Sequence, residues 1–94
     1  MVKEILLKSA PKNIALKWQQ NDNVLVVMSC DKKLFFLNEV AKDFLQLCDG
    51  KRTLIEIIEN LSENYDVEKN ILTDDLIDLI QDLQYKRILY VEAA

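Results

Sequence analysis

Two periods of hydrophobicity meet near residue 37 of this chain. Before it, Ile14, Leu16 and Trp18 alternate with Ala15, Lys17 and Gln19, the two-residue repeat of a strand with one buried face. Gln20-Asn21-Asp22-Asn23 then supplies turn chemistry, so the run opens a hairpin. The second arm, residues 24–30, is almost continuously apolar and β-branched at several positions, as a central strand requires. Asp31-Lys32 turns the chain again, and residues 34–37 form a third strand at the edge of an antiparallel meander. Ile5 and Leu7 add a short strand ahead of Pro11.

Beyond residue 37 the spacing becomes helical. Asn38 is a good N-cap, and Val40, Ala41, Phe44, Leu45 and Cys48 share one face of the helix that follows, with Asp49-Gly50 as its stop. Thr53 and Glu56 have capping-box spacing ahead of a stripe of Leu54, Ile57, Ile58, Leu61 and Tyr65. A third helix starts after Asp66, with Leu72, Leu76, Leu79, Ile80 and Leu83 along its buried face. Residues 88–91 return as a short extended segment. The expected fold is α+β, three strands followed by three helices and a short C-terminal strand. No repeat, low-complexity stretch or flexible linker interrupts it, and one Gly and one Pro leave little room for one.

Composition narrows what such a fold does. Ninety-four residues suit one domain, 1–94, and an apolar half with 30% charged residues is the balance of a soluble globular chain. There are no histidines, which removes the commonest general base and catalytic-zinc ligand. Cys30 and Cys48 match neither a metal knuckle nor a redox pair, lie in apolar runs, and read as buried thiols with no base near them in sequence. No catalytic residue, metal ligand or cofactor motif is recognisable. No signal-type start or membrane-length apolar run is present, so the expected compartment is the cytoplasm. A net charge of -4 is unfavourable for a phosphate backbone.

The landmarks of the helical half occur in a familiar order. Leu37-Asn38, Ala41, Phe44-Leu45 and Leu47 come first, then Asp49-Gly50, Thr53 and Glu56-Ile57. Asp75-Leu76, Leu79-Ile80, Leu83 and Ile88-Leu89 close the series. In this order, behind a three-stranded meander, they resemble the PqqD-like family of leader-peptide recognition elements, over about residues 11–91. The chain departs from the family where Gly is common near the end of the last helix and Lys86-Arg87 stands instead.

The resemblance implies a winged-helix-like fold used as a stand-alone adaptor. It would capture the leader of a ribosomally made precursor peptide by strand addition and present it to a modifying enzyme. That enzyme is a radical S-adenosylmethionine maturase, a leader protease with a cyclase, or another modifier, with no nucleic acid or membrane involved. The implied site is the third strand, Lys33, Leu34, Phe35, Phe36 and Leu37, with a groove between it and the third helix. Alternation groups Phe35 with Leu37, and the resemblance implies that Leu37 faces the core, which leaves Phe36 as the pocket wall; a one-residue slip would exchange the two phenylalanines. On the helix, Leu79 and the off-stripe Ile77 are groove candidates, and Asp75, Asp78 and Asp82 on the opposite flank would favour Lys or Arg in the peptide if that flank meets the groove instead. Trp18 and Tyr90 are expected in the core, and Lys32, Lys51 and Arg52 have no assigned role. An uncovered edge leaves the chain as a monomer or a strand-paired or swapped dimer. The competing reading is a winged-helix DNA-binding regulator, against which stand Asp74, Asp75, Asp78 and Asp82 on the helix that would enter the groove.

Overall fold

The computed structural model describes residues 2–22 and 24–91. In chain order the elements are α1 (Val2–Lys8), β1 (Lys12–Asn13), β2 (Lys17–Asn21), β3 (Val24–Met28), β4 (Leu34–Leu37), α2 (Glu39–Leu47), α3 (Leu54–Tyr65), α4 (Lys69–Tyr85) and β5 (Leu89–Tyr90). β2, β3 and β4 form the expected antiparallel meander with β3 in the centre, while β1 and β5 pair separately. The α+β order holds, with two additions.

The first addition is a correction. Residues 2–8 form α1 where Ile5 and Leu7 were expected to make a strand. The segment contains Lys, Glu and Leu, strong helix formers, beside Val2 and Ile5, with Glu4 in its first turn and Lys8 in its last to complement the helix dipole. Leu6 and Leu7 pack on the core while Ile5 is exposed. The second addition is β1, whose two residues carry no periodic signal. Residues 9–16 act as a strap between the helices and the sheet. Leu54 N–H donates to Ser9 O at 2.9 Å, Gly50 N–H to Pro11 O at 3.0 Å, and Ile14 N–H to Ile88 O at 2.9 Å. Gly50 is required here: its φ of 79° is left-handed, and a Cβ would sit 3.3 Å from Lys12 Cδ.

The hairpin begins later than the alternation suggested. Leu16 donates its N–H to Met28 O at 2.8 Å although Lys17 is level with Met28, so an extra residue is absorbed there and Ile14 leaves the sheet. One face of β3, Leu25 and Val27, is fully buried under the helices, and Leu37 joins it from β4. Phe44 and Leu45 of α2, Leu54, Ile57 and Leu61 of α3, and Leu76, Ile80 and Leu83 of α4 complete the core.

The caps explain why the helices start where they do. Asn38 Oδ1 accepts the Ala41 N–H at 2.9 Å, and Thr53 with Glu56 forms a complete capping box. Thr53→Ala removes one half of that box, and the expected cost is about 1 kcal/mol, read as a lower urea midpoint at unchanged slope. At the other end of α4 the departure at Lys86-Arg87 is absorbed without Gly. Arg87 takes the left-handed conformation itself (φ 60°), its N–H reaches Gln84 O at 3.0 Å, and Ile88 N–H reaches Leu83 O at 2.9 Å. This is the Schellman arrangement that Gly usually completes, with fully buried Ile88 as its apolar anchor.

Candidate functional site: the open edge of the sheet

The turn before β4 fixes its register. Ser29 N–H donates to Lys33 O at 2.8 Å, Lys33 N–H returns to Ser29 Oγ at 3.1 Å, and Ser29 Oγ donates to Asp31 Oδ1 at 2.5 Å. That hydroxyl, helped by Lys33 and Arg87, holds the Asp31 carboxyl below the usual carboxylate range. Lys32 adopts φ 65° at the tip.

Antiparallel pairs alternate between residues that exchange backbone hydrogen bonds and residues that do not. Ser29 and Lys33 are a bonded pair, so the next bonded pairs are Val27 with Phe35 and Leu25 with Leu37. Leu34 and Phe36 therefore turn their N–H and C=O away from β3, to the outer edge. No described residue supplies a partner for them there. This is a row of donors and acceptors at the spacing of a strand.

Side chains follow the same alternation. Phe35 and Leu37 lie on the helix side, where Leu37 is buried and Phe35 is half-buried against the core. Phe36 pairs with Val26 on the opposite face and is 74% exposed. The pocket wall expected of Phe36 thus does not face the helices. Phe35 stands there instead, with Lys86 Nζ of the α4 end 5.1 Å above its ring centre. Lys86 is in turn paired with Asp82 at 2.8 Å. It was passed over in the sequence because an exposed lysine near a turn carries no signal of its own.

The Lys86–Phe35 contact sets the C-terminal end of one α4 flank over β4. Counting back in helical turns from Lys86 leads to Asp82, Leu79, Asp78 and Asp75 on that flank. Leu79 is half-buried, and Asp75 and Asp78 are exposed. Ile77 is half-buried on the far flank of α4. Phe35 and Leu79 are both half-buried against the core, and Lys86 with its partner Asp82 stands over the Phe35 ring. Lys33 is exposed at the turn end of β4, and Lys51 and Arg52 lie in the α2–α3 turn, where Arg52 pairs with Asp49 at 3.1 Å.

Three further expectations are corrected. Trp18 is 56% exposed and Tyr90 52%. Trp18 is on the inner face of β2, where it lines an open cleft with Leu25 of β3 and Leu45 and Gln46 of α2, and Tyr90 is the outward member of a two-residue strand. Cys30 is exposed, its Sγ donating to Ile14 O at 3.2 Å, because it lies in the turn past the end of β3. Cys48 is buried as expected, and burial pushes its thiol far above the ordinary range. In the native protein a thiol reagent should label Cys30 and reach Cys48 only on unfolding. Immediate labelling of both thiols would contradict this placement. Among the described residues no group of three His, Cys, Asp or Glu is placed to hold a metal ion, and no helix is long and apolar enough to cross a membrane.

An open antiparallel sheet covered by helices on one face, with Lys86 at the end of α4 over its edge strand β4, defines the class: a winged-helix-like α+β fold with an open edge. The chain belongs to the PqqD family, described as coenzyme PQQ synthesis protein D, which matches residues 25–89, from β3 to the start of β5. It is 29% identical over 79 residues to a PqqA binding protein of Bradyrhizobium diazoefficiens, covering 84% of this chain and 76% of that one. It is also 28% identical over 79 residues to the bifunctional coenzyme PQQ synthesis protein C/D of Methylorubrum extorquens, covering 84% of this chain and 21% of the larger protein. The fold superimposes on TbiB1, solved in complex with the TbiA(beta) leader peptide, with a TM-score of 0.77 over 88% of this chain and 99% of that one, at 22% identity.

Proposed function

We propose that this chain is a leader-peptide adaptor: it binds the leader of a ribosomally made precursor peptide as an added strand on β4 and presents it to a separate maturation enzyme. One observation carries the reading: Leu34 and Phe36 hold their backbone donors and acceptors open at the edge of the sheet, beside the half-buried Phe35 ring. The relative from Bradyrhizobium is named for binding PqqA, and the relative from Methylorubrum joins a domain of this kind to a further synthesis protein in one chain. Such a fusion suits an adaptor whose contribution is effective concentration, holding the substrate near an active site it does not itself supply. The peptide's inward side chains meet Phe35 and Leu79, and the rim of Asp75, Asp78 and Asp82 selects Lys or Arg among them. The same acidic rim opposes a DNA backbone, and no feature of α4 favours the regulator reading.

The test is titration of the isotopically labelled protein with the leader of the precursor peptide encoded beside it, following backbone amides. Saturable shifts confined to residues 32–37 and α4 are expected. Shifts confined to α2 and α3, or none, would overturn the reading.

A further inference from the structure

The face of the sheet turned away from the helices is apolar and uncovered. Phe36 is 74% exposed, Leu34 60% and Val24 39%, and Val26 and Met28 lie half-buried between them. Across β2, β3 and β4 this face is hollowed into a depression of about 250 Å³ lined by Lys17, Trp18, Gln19, Val26, Met28 and Leu34. A patch of this kind on a small protein marks a contact surface. Its position names the occupant, because its two most exposed members are also the two residues whose backbone groups open onto the free edge.

We infer that the bound peptide is gripped on both faces of the sheet, and that Leu34 and Phe36 select two apolar peptide residues spaced i, i+2 on the outer face. The inference rests on strand addition at β4. Peptide residues that exchange backbone hydrogen bonds with Leu34 and Phe36 lie directly opposite them, so their side chains emerge on the same outer face. Those between point the other way, into the groove over Phe35. The ligand is thus an extended segment with a two-residue period: aliphatic or aromatic outward, and mixed apolar and basic inward. The outer pair also covers Val26 and Met28, which are one strand further in.

The test uses a phage-displayed library of random decapeptides, selected on the full chain and on the Leu34→Thr/Phe36→Thr double variant. Threonine keeps the strand preference, and both positions are exposed enough that the variant should fold. The wild-type chain should enrich peptides with an apolar pair at i, i+2, and the double variant should bind them roughly 2- to 30-fold more weakly, as two lost cross-strand pairs imply. Amide shifts with a selected peptide separate the two ways of failing. Equal affinity for both proteins, or enrichment without an apolar pair, with β4 amides still shifting, overturns the outer-face inference and leaves strand addition standing. No enrichment, or binding that leaves the β4 amides unmoved, overturns both.

Discussion

Phe36→Pro is expected to weaken peptide binding by roughly 10- to 100-fold in a protein that stays folded, the effect of a lost edge hydrogen bond and a ring in its place. The Phe36 N–H points outward, so proline removes nothing from the β3–β4 ladder, and edge strands tolerate it at such positions. Phe35 is already extended, as a residue preceding proline must be. One residue earlier the outcome reverses. Phe35→Pro removes a ladder bond to Val27 and the half-buried ring under Lys86, and should cost about 3 kcal/mol or more of stability. The pair of variants reads the register directly: calorimetry for affinity and a urea transition for stability should separate them. Phe36→Thr serves as the side-chain control. If Phe36→Pro binds the leader as tightly as the wild-type chain, the edge is not the site.

The contrast between adjacent phenylalanines shows what was legible in the sequence. Alternation correctly put Phe35 with Leu37 and Phe36 with Leu34, because a strand's period is fixed by backbone geometry. It could not say what lies above each face: the helices cover the face of Phe35, and Phe36 is on the uncovered one. Trp18 failed for a related reason: it is on the inner face, but it lines an open cleft against α2 and is left 56% exposed there. Helix starts were readable to the residue at Asn38 and Thr53 because the cap is a local side-chain bond. The left-handed Arg87 was not, since nothing in Lys86-Arg87 announces a Schellman turn; the buried Ile88 that pulls it closed is long-range information. Lys86 became a site residue only when the fold carried it over Phe35.

Phe44→Ala is expected to destabilise the protein by about 3–5 kcal/mol, the cost of a large core ring lost to a cavity. Phe44 is fully buried in α2, where the chain has no redundancy: α2 packs on β3 and β4 on one side and on α3 on the other. Small domains hold roughly 5–15 kcal/mol in all, so the variant should populate the unfolded state measurably at moderate temperature. Its functional consequence is specific. Phe44 contributes no side-chain surface to the open edge, so the folded fraction should keep its affinity while the apparent affinity falls with that fraction. Leader peptide at about 100 times its dissociation constant should then restore roughly 2.7 kcal/mol, raising the melting temperature of the variant and of the wild-type chain alike. Stabilisation of the wild-type chain but not of the variant would mean that the edge depends on α2 packing more closely than the register indicates.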